Sequence, residues 1–417
     1  MSTHGYYGGP PQQQGTFHGE PGFNQPPPQN VGGYGTHQQP MQQGFNQYQS
    51  VPQSHPPQMQ SFPPQQGQFH QPNQFGGPPP PMVAQQYPQQ QHAGYARPSP
   101  GYDGYVAPGN MQAEVDELMR AMSGFKRNHT TIIRVLARPD PAHMALLRQT
   151  YAQRNAGQPL ESKIDSSFRS HYGDALLQLV RGPLMADVWN VNRAIKGLGT
   201  KEDMLNDVLI GRSNADMMAI KQAYQQTFHR SMEHDVKGDL SLKTEAMFQL
   251  IMRASRTDES YPFNPQEINR DCEQLQHAMR GPLMPTSQEI VYTILTQRSD
   301  NQLRAVAAQY QTTNRKSLED AIRSSFTGHM EDALVLCIQR ASDRAKSDAF
   351  QLEASMKGLG TKDDLLVNRV VALHWNRSHM DQVKRAYQHF FKTDLVQRVR
   401  GETSGDYRDC LVACLAA

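Results

Sequence analysis

Ile195-Lys196-Gly197-Leu198-Gly199-Thr200-Lys201-Glu202-Asp203 and Met356-Lys357-Gly358-Leu359-Gly360-Thr361-Lys362-Asp363-Asp364 are nearly the same nine residues, met twice in one chain of 417. Each copy lies between two stretches of helical, amphipathic pattern. The paired glycines let the backbone turn tightly and aim successive carbonyls at one point. Thr200 and Thr361 read as N-caps of the helix that follows, with Asp203 and Asp364 three residues on to complete a capping box.

Working outward, the two copies prove to be parts of a longer repeat. An apolar helix ends near an arginine, and about a dozen residues later comes a helix carrying a tyrosine. The four instances are Val135-Leu136-Ala137-Arg138 with Tyr151, Val208-Leu209-Ile210-Gly211-Arg212-Ser213 with Tyr224, Ile294-Leu295-Thr296-Gln297-Arg298-Ser299 with Tyr310, and Arg377-Ser378 with Tyr387. The tyrosines are 73, 86 and 77 residues apart, and a polar insertion from Asp258 to Pro265 accounts for the longest interval. Inside the repeats apolar residues recur at helical spacing, as in Ala219, Ile220, Ala223, Tyr224 and Phe228, or Leu334, Val335 and Ile338. Alternating strand patterns are absent. The expectation is an all-α protein with about five helices per repeat. The boundaries expected are 109–181, 182–257, 267–342 and 343–417, with a linker at 258–266. One unit alone would have a thin core, so the units must pack together to bury it.

Residues 1–108 are of a different kind. They hold 21 of the 29 prolines, no leucine and no lysine, and their only formal charges are Glu20, Arg97 and Asp103. Such a segment cannot bury enough apolar surface to offset the entropy of ordering it, so a disordered Pro/Gln/Gly/Tyr-rich tail is expected, with folding beginning near Asn110. Its Tyr and Phe, spaced by polar residues, suit a passive solvated linker or a self-associating, partner-binding tail. The net charge of +2 gives no basic field for nucleic acid. No apolar run is long enough to span a bilayer, and no secretory signal opens the chain. The four cysteines, Cys272, Cys337, Cys410 and Cys414, form no CxxC pair and read as reduced core thiols of a cytosolic protein.

Carbonyls converging on one point suit a hard cation such as Ca²⁺, provided an acidic side chain joins them. Repeat 2 offers Asp239, 40 residues after Gly199, and repeat 4 offers Glu402, 42 residues after Gly360. Both acids lie 15 residues past the repeat tyrosine, so the two extra residues of repeat 4 fall in the Ala372–Asn376 region. A single GxGT is weak evidence. Two copies with an acid at the matching place are much stronger.

These residues resemble the annexin signature, (M/L)KGxGT with an acid about 40 positions later, and Arg400-Gly401-Glu402-Thr403-Ser404-Gly405-Asp406-Tyr407 is similar to its GDTSG-like loop. The resemblance covers roughly residues 110–417, and the tail is similar to those of long-tailed annexins, fungal or protist members among them. It implies four five-helix bundles in a slightly curved disk with calcium loops on the convex face. It also implies calcium-dependent binding to acidic phospholipid membranes by a peripheral membrane-organising or trafficking protein, cytoplasmic and membrane-associated when calcium rises. Carried over, one calcium site uses the carbonyls of Ile195, Gly197 and Gly199 with Asp239, and the other uses Met356, Gly358, Gly360 and Glu402. Leu198 and Leu359, at the loop tips, are the expected membrane contacts. Repeat 1 departs from the signature, with Lys126 and Arg127 where the second glycine and threonine belong and Ser167 at the acid position. Repeat 3 departs too, with Gly281-Pro282-Leu283-Met284 and Ser325, so neither is expected to hold calcium. Arg127 and Arg280 read as solvated charges or lipid-phosphate contacts.

An enzyme is the weaker reading. His229 and His374-Trp375 lack a matching carboxylate or metal-ligand spacing, and GLGTK lacks the four-residue gap and GK[ST] ending of a phosphate-binding loop. A scaffold in which the tail does the work is the other rival, and truncation at Asn110 separates it from lipid binding by the core.

Overall fold

The computed structural model describes residues 97–417 apart from Leu198, Ser241, Phe263 and Ala417, and only the backbone of Leu242 and Lys243. The stretch before Arg97, with the tail reading attached to it, lies outside the described residues.

Among the described residues there is no strand. Repeat 1 comprises α1 (Gln112–Met122), α2 (His129–Leu136), α3 (Pro141–Arg154), α4 (Leu160–Ser167) and the first half of α5 (Ser170–Ile195). The second half of α5 begins repeat 2, which continues with α6 (Glu202–Leu209), α7 (Asn214–Phe228), α8 (Met232–Asp239) and α9 (Leu242–Met252). Gly182 divides α5 with a φ of 70°, a conformation open to glycine, and Pro183 follows, so the helical ladder is broken where the two repeats meet. Repeat 3 runs through α10 (Pro265–Ala278), α11 (Pro285–Gln297), α12 (Asp300–Asn314), α13 (Leu318–Ser325) and α14 (Gly328–Ser342). Repeat 4 runs through α15 (Arg344–Met356), α16 (Asp363–His374), α17 (Arg377–Phe391), α18 (Leu395–Glu402) and α19 (Gly405–Ala416).

The apolar faces meet in two clusters. One joins repeats 2 and 3 through residues such as Leu209, Tyr224, Phe248, Leu295 and Leu336. The other joins repeats 1 and 4 through Leu136, Leu176, Leu352, Val370 and Leu411. All four repeat tyrosines are buried, Tyr224 and Tyr387 completely. In repeats 2 and 3 the helix-end arginine turns back to the first helix of its own repeat: Arg212 pairs with Asp187 at 2.5 Å and Arg298 with Asp271 at 2.6 Å. The serine after it caps the next helix, Ser213 on α7 and Ser299, within a full capping box, on α12.

Repeat 4 departs from the expected register. Its cap is Asn376, which accepts from the His379 amide at 3.0 Å, so Arg377-Ser378 lie inside the first turn of α17 and are not the counterparts of Arg212-Ser213. α16 is four residues longer than α6, 12 against 8, and the connection to the next helix is two residues shorter, which together give the two extra residues.

The packed chain also extends N-terminally of Asn110. Tyr102 and Ala107 are buried, and Ala107 N–H donates to the Ala142 carbonyl at 3.2 Å. A composition dominated by Pro and Gly hides two well-placed apolar residues. The four cysteines are free and buried, and burial pushes the Cys337 thiol up to about 12. His374 is buried and bonded to the Cys414 carbonyl at 3.1 Å, and His229 ends α7 in the left-handed conformation, so both have structural roles.

Candidate metal centre

In repeat 2 the loop from Lys196 to Lys201 joins α5 to α6, and Asp239 is the last residue of α8. Gly197 and Gly199 have φ values of 137° and 83°, which a side chain would disfavour, and these turns let the loop fold back. The Lys201 amide then closes it on the Ala194 carbonyl at 2.8 Å. Thr200 Oγ1 lies 2.6 Å from Asp239 Oδ2 and 3.1 Å from the Asp239 carbonyl oxygen. The threonine therefore ties the loop to the acid 39 residues away.

Repeat 4 repeats the construction. Gly358 and Gly360 have φ values of 118° and 84°, the Lys362 amide closes the loop on the Ser355 carbonyl at 2.8 Å, and Thr361 Oγ1 donates to Glu402 Oε2 at 3.1 Å. Glu402 is the last residue of α18, as Asp239 is of α8. Ile195 and Met356 end the helices that enter the loops. Leu359 is fully exposed at the tip of its loop, and Leu198 lies outside the described residues.

The threonines are not the N-caps the sequence suggests. Lys201 and Lys362 occupy those positions, without a side-chain cap bond. An N-cap oxygen accepts from the first helical amides, but these helices begin one residue too late for the threonines, whose hydroxyls instead donate to the distant carboxylates. The aspartates assigned to capping boxes pair across the repeats instead: Lys201 Nζ lies 2.6 Å from Asp364 and Lys362 Nζ lies 3.2 Å from Asp203. Partial burial works the other way, but the Lys201 ammonium and Arg193 hold the Asp364 carboxyl below its usual range. These reciprocal pairs set the two loops side by side. The signal was present in the sequence as Lys and Asp at the same offset in both copies, although which loop faces which is a matter of packing. His171 and Asp174 adjoin Asp364 closely enough to suggest a metal trio, but Arg193 and Lys201 already balance that acid.

The two loops differ in one respect that sequence reasoning missed. Arg398, one turn before Glu402 on α18, pairs with Glu402 and donates to the Met356 carbonyl at 3.0 Å. Desolvation pulls the other way, but Glu353 and Glu402 keep this guanidinium firmly protonated. It thus engages two of the four oxygens assigned to the repeat 4 site. The matching residue in repeat 2 is Asp235, which accepts from Tyr224 at 2.9 Å and pairs with Arg230 at 2.7 Å.

Repeat 1 closes its loop in the same way, Asn128 N–H on the Ala121 carbonyl at 2.9 Å. Arg127, at the threonine position, donates from Nη1 to the Ser167 carbonyl at 2.6 Å and lies over the Phe168 ring at 5.0 Å. It is an exposed charge, as expected, that is also tethered: the guanidinium spans the gap that Thr200 and Asp239 span in repeat 2. Phe125 projects fully exposed from the tip. In repeat 3 Arg280 is exposed, Ser325 ends α13, and Met284 is exposed at the head of α11.

A carboxylate tied to an exposed, glycine-turned loop is the kind of oxygen donor a hard divalent cation takes. The Annexin family profile matches residues 113–179, 186–251, 270–337 and 347–414. Annexin C1 of Cryptococcus neoformans is 36% identical over 305 residues, covering 72% of this chain and 64% of that protein. Human annexin A13 is 31% identical over 308 residues, covering 73% of this chain and 95% of its own length. The solved structure of chicken annexin V superposes with a TM-score of 0.66 at 26% identity, covering 75% of this chain and 98% of that one. Four profile matches along one chain, with the helices and loops in the corresponding order, place this protein in the annexin family.

Proposed function

We propose that this chain binds acidic phospholipid membranes through calcium held at the loops of repeats 2 and 4. Membership of the annexin family implies calcium-dependent phospholipid binding in general, by proteins that are generally not enzymes. The observation that carries the reading for this chain is the twice-built bridge, Thr200 to Asp239 and Thr361 to Glu402, which holds a glycine-turned loop against an acid about 40 residues distant.

In this reading the carbonyls of Ile195, Gly197 and Gly199 with Asp239, and of Met356, Gly358 and Gly360 with Glu402, hold the ion. Bound calcium supplies positive charge and open coordination positions to a lipid phosphate or carboxylate. One acid per site makes each site weak alone. Lipid and calcium then raise each other's affinity by the same factor, and two adjacent loops on one rigid body add avidity. Among the described residues no helix is long and apolar enough to cross a membrane, which suits peripheral attachment. We place the protein in the cytoplasm, on membranes when calcium rises, with an organising or trafficking role there. Co-sedimentation with phosphatidylserine liposomes should require calcium, and pelleting that is equal with and without a chelator would reject the proposal.

Leu359 supplies the apolar part of the contact. Burying a leucine in the interface contributes about 1.5–3 kcal/mol, so Leu359→Gln should weaken liposome affinity about ten- to a hundredfold while calcium dependence remains. Liposome titration at fixed calcium measures it, and unchanged affinity would remove Leu359 from the membrane face.

The two sites should respond unequally. Calcium in repeat 4 must displace Arg398 from Glu402 and the Met356 carbonyl, whereas among the described residues no guanidinium pairs with Asp239. In an Asp239→Ala background, Arg398→Gln is expected to lower the calcium concentration for half-maximal liposome binding about tenfold, the equivalent of one charge-assisted hydrogen bond. A higher calcium requirement would mean that Arg398 builds the site rather than competes for it.

A further inference from the structure

A cavity of about 820 Å³ is lined by the end of α6, the first turns of α15 and the start of α17. It lies away from the candidate calcium loops. Lys201 and Lys362 precede α6 and α16, whereas Arg212 and Arg377, which line the cavity, follow them. Those helices have 8 and 12 residues, a rise of roughly 12 and 18 Å.

The charges around this cavity do not balance. Arg212 is matched by Asp187 at 2.5 Å, and Asp216 is engaged by Ser99. Towards repeat 4 the wall carries four guanidinium groups, Arg340, Arg344, Arg369 and Arg377, against two carboxylates. Asp207 serves Arg369 at 2.7 Å and Arg340 at 3.6 Å. Asp348 serves His379 at 2.7 Å, Arg344 at 3.4 Å and Arg340 at 3.8 Å, so it also brings the start of α15 beside the start of α17. Arg377 donates to the Arg138 carbonyl at 3.2 Å and, among the described residues, pairs with no acid.

Hydrogen-bond donors are in surplus as well. Arg340 is 6% exposed, and its Nε finds no acceptor among the described residues. Neither does the indole Nε1 of Trp375, on the same wall. At the head of α17 the Asn376 side chain caps the His379 amide, at 3.0 Å, which leaves the Arg377 and Ser378 amides as free N-terminal donors.

We propose that this cavity binds a soluble, phosphate-bearing small molecule, its phosphate held by Arg344, Arg377 and the first amides of α17. The chemistry selects the ligand. Guanidinium and backbone N–H groups only donate, so the ligand must present acceptors, and two surplus positive charges call for two negative ones. A phosphomonoester brings about −1.5 to −2 at neutral pH together with three acceptor oxygens, whereas a carboxylate brings one charge. The volume is that of a small-molecule site and far exceeds a bare phosphate. Pro100, Pro183 and Tyr102 offer an apolar wall to the rest of the molecule. The site is remote from the glycine loops, so it does not depend on the calcium reading.

The test uses the full chain in EGTA, titrated by calorimetry with glucose 6-phosphate and, separately, with inorganic pyrophosphate. Saturable binding with one ligand per chain, a Kd below about 1 mM and a raised Tm are expected for at least one of them. Tighter glucose 6-phosphate would assign the site to an organic ester, and tighter pyrophosphate to a short inorganic polyphosphate. Arg377 is exposed and holds no acid, so Arg377→Gln should fold normally and weaken binding at least tenfold. Arg385→Gln removes the same charge two turns further along α17, at an exposed position outside the cavity, and should leave the affinity unchanged. Neither heat nor a shift in Tm with either probe would overturn the proposal. So would an affinity that Arg377→Gln leaves intact, or that both substitutions weaken equally.

Discussion

Replacing Asp239 and Glu402 together with alanine is expected to abolish calcium-dependent pelleting with phosphatidylserine liposomes. Each substitution removes the single formal charge of its site and leaves neutral carbonyls, too weak a set for a divalent ion in water. The fold should survive, because both acids are half-buried at helix ends and their loss removes the Thr200 and Thr361 contacts and the Arg398–Glu402 pair, while Arg398 keeps Glu353 and the Met356 carbonyl. Each such contact contributes about 0.5–1.5 kcal/mol. The two single variants separate the sites: with Arg398 on Glu402, Asp239→Ala should cost more than Glu402→Ala. Liposome sedimentation across a calcium titration, with far-UV circular dichroism as the folding control, gives the answer. A folded double variant that pellets like the parent chain would reject the site assignment.

The largest effect on stability is expected at Asp207. This residue lies on α6 of repeat 2, pairs with Arg369 of α16 in repeat 4 at 2.7 Å, and lies 3.6 Å from Arg340 of α14 in repeat 3. All three are nearly inaccessible to solvent. Burial, with Arg344 beside it, already pulls Arg340 down to about 10. Asp207→Ala would leave Arg369 without its carboxylate partner and Arg340 with Asp348 at 3.8 Å alone, in a low-dielectric interface, and stranding a buried partner costs about 3–5 kcal/mol. A large fall in the urea midpoint is the expected result, and a loss below about 1 kcal/mol would show that water or a rearranged side chain compensates. Replacing Asp207, Arg340 and Arg369 together with apolar residues should recover much of the loss, because a buried ionic cluster mainly specifies how its elements fit together.

The architecture was legible in the sequence because helices and their repetition are local properties. Apolar spacing marks the buried face of each helix, and the tyrosines recur because each is buried in the core at the same place in its repeat. Two glycines in a short loop likewise announce their turns without help from the rest of the chain. What the partners of a polar side chain are is not local. Thr200 and Thr361 carry the spelling of N-caps, yet a carboxylate about 40 residues away takes their hydroxyls. Asp203 and Asp364 look like capping-box acids, yet lysines of the opposite repeat hold them. Arg398 is unremarkable in the sequence, and Arg127 and Arg377 stand out there for other reasons; each meets a carbonyl or carboxylate that only packing brings near. Periodicity and turn chemistry thus determined the four-repeat helical fold and the loops that could hold a cation. The tertiary structure alone decided which charges meet across the repeats, because a charge–charge contact depends on distance in space and leaves no period along the chain.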